Sequence, residues 1–283
     1  MEFEKSEDGT VKFNFEEGYS AVLVPLGGKM TLCLSSQIGC AMKCEFCVSG
    51  KREFKRNLGL EELKGQLDAA TNYLGLKDLK NKENKKGGVF LRDKITAIVF
   101  MGMGEPMFNL SNVMKFCDYV NNFYGYAYSG ITISTSGILP GMKRVIEGTN
   151  KIQLAVSLHS PFQEVRDRIM PGLRNFKVDE LVELCRKYNE RYRQKIMIEY
   201  LMIDGLTDRD CDLKRLIELG LGKRTNFNLI FLNSNFELEN KKYEASSKDR
   251  AGYFRDKLME AGYKCFTRMS MGTDIEAACG MLK

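Results

Sequence analysis

Residues 35–51 read SSQIGCAMKCEFCVSGK. Cys40, Cys44 and Cys47 stand there in a C-x3-C-x2-C spacing, inside eight residues of one loop. Three thiolates that close can converge on a metal centre. A structural zinc site takes four ligands, often from two paired knuckles. No second C-x2-C occurs, and the one histidine, His159, is far along the chain. A 4Fe-4S cluster normally takes four cysteines, so three would leave one iron open to chelate a small molecule. The competing readings are three unrelated cysteines, or a zinc loop completed by a remote cysteine.

The loop follows a short apolar run, Met30–Ser35, and the pattern repeats outward from it. Ser20–Val24, Ile95–Phe100, Ile131–Ser134, Ile152–Ser157, Ile196–Met202 and Phe227–Phe231 are further strand candidates. Short apolar runs of this kind suit buried parallel strands. Helical periodicity falls between them, over Leu60–Leu74, Leu110–Phe123, Gly141–Glu147, Val178–Arg193, Arg209–Leu219 and Lys248–Ala261. In the fourth, Leu181, Leu184, Cys185 and Tyr188 share one face. The alternation predicts an α/β fold with a parallel sheet, a partial or full barrel of about six units. A hairpin over residues 11–24 precedes it as a small β extension. Barrels and doubly wound sheets both place chemistry at the carboxyl ends of their strands. The unusual residues do follow the strands: the cysteines, then GMGEP, TSG, His159 and Asn233.

The 283 residues are 43% hydrophobic, enough to bury a sizeable core, and 28% charged. Lysine plus arginine exceed aspartate plus glutamate by 43 − 37 = 6, which permits a polyanionic partner without demanding one. A single histidine excludes a multi-histidine metal site. Nine cysteines is an odd number for a disulfide framework. The amino-terminal MEFEKSEDGT has no apolar signal core, and no run of 18 apolar residues occurs. A reducing, cytoplasmic setting without a membrane follows as the expectation. KDLKNKENKKGGVFLRDK, residues 77–94, reads as a polar surface loop.

The aromatic Phe46 before the last cysteine of the triad resembles the radical S-adenosylmethionine (SAM) superfamily. TLCLSSQIGCAMKCEFCVSGK, VFMGMGEPMFNL, ITISTSG, LAVSLHSP and DIEAACGML together resemble the RlmN/Cfr family, in order from Asp8 to Leu282. Those enzymes methylate an adenine ring carbon in RNA. The resemblance implies a partial (β/α)6 barrel of the radical SAM type over residues 30–283, ending in a catalytic tail, with residues 1–29 as the β extension. It implies a 4Fe-4S cluster on Cys40, Cys44 and Cys47, and two molecules of SAM per turnover. SAM would be held by Gly104, Glu105, Ser136, Ser157, Leu158, His159 and Asn233. Taken singly, a serine after a strand is more often a turn residue and a lone histidine more often satisfied structure. Cys279, in AACG, would carry the methyl group, and Cys33 would close a disulfide that releases the product. Thr273 and Glu276 have capping-box spacing, which predicts a short helix from Asp274. Cys117, Cys185, Cys211 and Cys265 read as structural.

The partners implied are ribosomal or transfer RNA and a reducing protein such as flavodoxin or ferredoxin, with the chain acting as a monomer. C2 of adenine is the expected target rather than C8. Lys51, Arg52, Lys55, Arg56, Arg166, Arg168 and Arg174 are candidate phosphate contacts. The sequence departs from the family in three places. Only 32 residues precede Cys33, so the family's helical N-terminal domain is expected to be absent, an accessory RNA-binding protein being one replacement. Ser20 stands where the family carries a proton-accepting glutamate. MPGLRNF (residues 170–176) and TRMSMG (residues 267–272) replace family segments near the substrate. A radical SAM methylase of a nucleotide, peptide or natural product, and a non-catalytic zinc or RNA-binding protein, are the alternatives.

Overall fold

A computed structural model describes residues 2–76, 79 and 89–283. Most of the polar loop at 77–94 therefore lies outside the described residues; its end, Leu91–Lys94, is one helical turn. Ten strands form one sheet: β1 (Glu2–Lys5), β2 (Val11–Phe15), β3 (Tyr19–Leu26), β4 (Lys29–Cys33), β5 (Ile95–Phe100), β6 (Ile131–Thr135), β7 (Gln153–Ser157), β8 (Ile196–Met202), β9 (Thr225–Phe231) and β10 (Lys264–Arg268). They lie side by side in chain order. The pairs from β1 to β4 are antiparallel. Those from β4 to β10 are parallel. Among the described residues β10 pairs with β9 and β1 with β2, so the sheet stays open as a partial barrel. Six strand–helix units and a closing seventh parallel strand match the expected architecture.

The helices are α1 (Leu60–Tyr73), α2 (Leu110–Tyr124), α3 (Leu139–Glu147), α4 (Gln163–Ile169), α5 (Val178–Tyr192), α6 (Asp210–Glu218) and α7 (Lys248–Glu260). Each parallel crossover needs such a connection. Local signals start them: Glu62 accepts from the Gly59 N–H at 2.8 Å ahead of α1, and Ser247 Oγ accepts from the Arg250 N–H at 3.1 Å at α7. The stripe Leu181, Leu184, Cys185 and Tyr188 is buried, and Tyr188 donates to the Ile152 carbonyl at 2.6 Å. Ile95, Ile98, Phe100, Ile131, Ile133, Ile196 and Ile198 lie in the same core, hence the short apolar strands. No helix among the described residues is long and apolar enough to cross a membrane.

In β3, Tyr19, Ala21 and Leu23 join the main core, while Val22 and Val24 belong to a second, small cluster with Cys33, Ile275, Ala277 and Leu282. The alternation of a strand makes this split: one face of the extension packs on helices, the other receives the carboxyl-terminal tail. The tail is not the short helix that its Thr273–Glu276 spacing predicts. Residues 273–276 form a turn, with Glu276 N–H donating to the Thr273 carbonyl at 3.3 Å. Gly272 at φ 68° and Glu276 at φ 52° are left-handed, which a right-handed helix cannot include.

Candidate active site

The carboxyl ends of the parallel strands surround one cavity. It is lined by Cys40, Cys44 and Cys47 from the loop after β4, Gly104 and Glu105 after β5, Ser136 after β6, and Ser157 and His159 at the end of β7. Glu199 and Leu201 come from β8, Asn233 follows β9, Arg268 ends β10, and Cys279 and Gly280 come from the tail. The sequence-predicted residues thus meet at one site, apart from Leu158, which is buried, and Cys33, which does not line the cavity but packs against the small apolar cluster of Val22, Ala277 and Leu282.

The cysteine loop is stitched to its neighbours before it reaches the cavity. Gln66 of α1 accepts from the Ser35 N–H at 2.8 Å and donates to the Ser35 carbonyl at 3.0 Å. Ser35 Oγ donates to the Ser20 carbonyl and accepts from the Met103 N–H. Gln37 Oε1 accepts from the Glu105 N–H at 2.8 Å, joining the loop to GMGEP. Gly104 sits at φ 99°, and a Cβ there would lie 2.5 Å from Cys-loop residue Gln37, so neither the conformation nor the space admits a side chain.

All nine cysteines are free thiols, and the triad is half-buried. Burial, opposed in part by the Met42 N–H, pushes the Cys40 thiol up to about 12. Burial and then repulsion from Cys47 and Cys40 push Cys44 well up, and burial raises Cys47. Three thiolates cannot share this pocket without a cation, the situation that metal ligation relieves. Among the described residues no three His, Cys, Asp or Glu side chains converge as a single-ion site requires. Three cysteines on one loop suit a 4Fe-4S cluster that keeps one iron open, whereas a closed structural zinc site takes four ligands.

Glu105 is buried, and burial raises its pKa against hydrogen bonds from Ser136. Its Oε2 accepts from the Ser136 N–H at 2.7 Å and from Ser136 Oγ at 2.6 Å, and Oε1 accepts from the Met107 N–H at 3.0 Å. His159 adopts φ 57° and accepts the Leu201 N–H on Nδ1 at 3.1 Å. That bond assigns the proton to Nε2. Burial, then the Arg166 charge, lowers its pKa to about 3, so the ring is neutral. Phe46 packs edge-on against it, centroids 5.0 Å apart. Asn233 Nδ2 donates to the Cys279 carbonyl at 2.8 Å, and Asn233 Oδ1 accepts from Ser270 Oγ.

Cys279 stands within electrostatic reach of Cys33, Cys47 and Arg268. Burial and then Cys279 push Cys33 up to about 12, while Arg268 and a backbone N–H pull the other way. Ser20 is buried and donates to Asn14 Oδ1 at 2.9 Å.

Arg166, expected among the phosphate contacts, is fully buried instead. Nε donates to the Leu158 carbonyl at 3.2 Å and Nη2 to the Ser136 carbonyl, so it braces two loops beneath the cavity. Its distance from solvent, and not its charge, rules out a phosphate role. Arg56 is committed to Glu62 and Arg168 to Glu239. Sequence reasoning missed Glu199 and Arg268. Glu199 is buried, accepts from Asn228 Nδ2 at 2.7 Å, and is raised by burial against the pull of Arg268. A carboxylate inside the strand run IMIEYLM was the available signal.

Residues 34–217 match the radical SAM superfamily. A curated relative from Desulfotalea psychrophila, "Dual-specificity RNA methyltransferase RlmN", is 38% identical over 99% of this chain and 76% of its own length. A second, from Bacteroides thetaiotaomicron, "Probable dual-specificity RNA methyltransferase RlmN", is 36% identical over 98% of this chain and 76% of its own. The crystal structure of a radical SAM methyltransferase from Sphaerobacter thermophilus superposes with a TM-score of 0.87 at 31% identity, covering 100% of this chain and 80% of that one. A superfamily match over most of the chain, joined to this identity along nearly its whole length, means that the chain belongs to the radical SAM superfamily and, within it, to the RlmN family.

Proposed function

We propose that this protein methylates an adenine ring carbon of RNA, C2 rather than C8, through a methyl group carried on Cys279. Ribosomal and transfer RNA are the substrates of this reading. The observation that carries it is the meeting of the cysteine triad, the Glu105 loop and the tail cysteine in one cavity. The named relatives supply the RNA methyltransferase activity. Residues 30–283 act as the catalytic domain and residues 1–29 as its extension. Flavodoxin or ferredoxin supplies the reducing electron, and the monomer works in the cytoplasm.

Cys40, Cys44 and Cys47 hold a 4Fe-4S cluster in this account. Bound there, cluster and SAM supply the one-electron cleavage that yields a hydrogen-abstracting carbon radical, the reactivity an electron-poor ring carbon demands. The chain's own residues do the rest. Gly104 lets the backbone approach the methionine part of SAM, and Glu105 receives its ammonium group. Ser136 fixes the Glu105 carboxylate. His159 offers Nε2–H, and Ser157, Leu158 and Asn233 complete the wall.

Cys279 Sγ attacks the methyl of one SAM: an S–C bond forms and the sulfonium–methyl bond breaks. After the carbon has been joined to adenine, Cys33 Sγ attacks Cys279 Sγ. A disulfide forms as the Cys279 Sγ–CH2 bond breaks; the electron pair stays on that carbon, which takes up a proton and becomes the methyl group of the ring. A thiolate is the competent nucleophile, and Arg268 is the cation facing both sulfurs. With Ser20 in the glutamate position and Glu105 committed to Ser136, Glu199 is the carboxylate left to take the ring proton.

Anoxically reconstituted protein, incubated with RNA and methyl-labelled SAM and followed by nucleoside analysis, tests the reading. Labelled 2-methyladenosine is expected. RNA without methyladenosine, from protein with an intact cluster, contradicts it.

A further inference from the structure

The tail that carries Cys279 is held at its outer end by the turn between β1 and β2, 263 to 268 residues away in sequence. Asp8 divides its carboxylate between the two: Oδ1 accepts from the Thr10 N–H at 2.9 Å and Oδ2 from the Gly272 N–H at 2.7 Å. Ser6 Oγ donates to Asp274 Oδ1 at 2.6 Å, and the Glu7 N–H reaches Asp274 Oδ2 at 3.3 Å. Lys12 Nζ donates to the Ile275 carbonyl at 2.6 Å. The fit is close: a Cβ on Gly272 would stand 2.8 Å from Thr10 Cγ2. At its inner end the tail is held by Asn233, by the Val48 N–H donating to the Gly280 carbonyl at 2.7 Å, and by Ser49 Oγ donating to the Leu282 carbonyl at 2.6 Å. Cys279 hangs between these two anchors.

We propose that the β1–β2 turn is a positioning clamp, in which Asp8 sets where the Cys279 thiol stands between Cys33 and the cysteine loop. The proposal rests on the reading of Cys279 as the methyl carrier. A thiol that meets a methyl donor, a base and a second cysteine in turn needs a tether that aims it without locking it. The apolar contact beneath the tail is small, Ala277 and Leu282 on Val22 with Ile275, Val24 and Cys33 at the rim. Direction therefore falls to the hydrogen bonds. A bond to a full carboxylate is about twice as strong as a neutral one. Against burial, hydrogen bonds from Thr10, Gly272 and Ser6 bring Asp8 down to about 2, so it stays anionic at working pH. Asp8 touches neither substrate nor cofactor in this account and is a positioning residue.

Asp8→Asn keeps the size and leaves one acceptor oxygen. With that oxygen on Thr10, its NH2 faces the Gly272 N–H. In the anoxic holoenzyme, hydrogen exchange over residues 269–283 is expected to quicken about tenfold, the loss of one charge-assisted bond, while residues 11–24 stay protected. Turnover falls by a similar factor at unchanged KM for RNA, and Asp8→Glu restores part of it. Ser6→Ala, which removes the bond to Asp274 and keeps the bonds that Asp8 accepts from Thr10 and Gly272, gives a smaller effect in the same direction. Wild-type tail exchange in both Asp8→Asn and Ser6→Ala overturns the clamp, as does loosening spread evenly through the sheet. Cys279→Ala separates the two claims: if that variant still methylates RNA, the carrier assignment fails, whatever the tail exchange shows.

Discussion

The side-chain amide of Asn233 donates to the backbone carbonyl of Cys279 at 2.8 Å, tying the end of β9 to the residue at the centre of the tail. Asn233→Asp replaces the donor by an anion that repels that carbonyl. We expect the tail to loosen locally and Cys279 to react faster with iodoacetamide, while overall stability falls by only about 1–2 kcal/mol. Site-resolved alkylation and urea melts measure the two separately.

Gly104→Ala forces a Cβ to 2.5 Å from Gln37 at φ 99°. The strained backbone costs about 1–3 kcal/mol. Because Gln37 also holds the Glu105 N–H, SAM binding should weaken more than the fold does. Equilibrium binding of SAM beside a thermal melt tests this.

Glu199→Gln leaves the cavity's shape but removes the proposed proton acceptor. A covalent protein–RNA species should then accumulate, visible as a band retarded under denaturing conditions and dependent on Cys279. Turnover at the wild-type rate without such a species would reassign the base.

His159 gives the protein a pH-dependent term of known sign. Its pKa is lowered from 6.5 to about 3 when folded, so below pH 6.5 the unfolded chain binds a proton that the folded chain refuses. Stability from this group is full above pH 6.5 and is lost as the pH falls toward 3, with a slope of about 1.4 kcal/mol per unit in that window. His159→Gln, whose carbonyl can still accept the Leu201 N–H, should flatten urea-melt stability between pH 6.5 and 5. An unchanged slope would show that another group carries it.

Much of this was legible in the chain. Ile95–Phe100 and Ile196–Met202 fall on observed strands with both ends unchanged, because buried parallel strands leave short, mostly apolar runs, broken here only by Thr96 and Glu199. The cysteine loop, GMGEP and TSG were readable because loop chemistry is written locally. What was not legible depends on distant partners. Arg166 looks like surface charge until the Ser136 and Leu158 carbonyls are brought over it. Thr273 and Glu276 have helical spacing, but Asp8 and Lys12, from the far end of the chain, hold that segment as a turn. Glu199 and Arg268 gain meaning only where β8 and β10 open onto the same cavity.

The account stands most directly on the carboxyl-terminal peptide of protein isolated without oxygen from cells supplied with SAM. Mass spectrometry should find Cys279 heavier by one CH2 while the sample carries iron and sulfide, and Cys40→Ser should abolish the cluster. An unmodified Cys279 in protein with an intact cluster would contradict it.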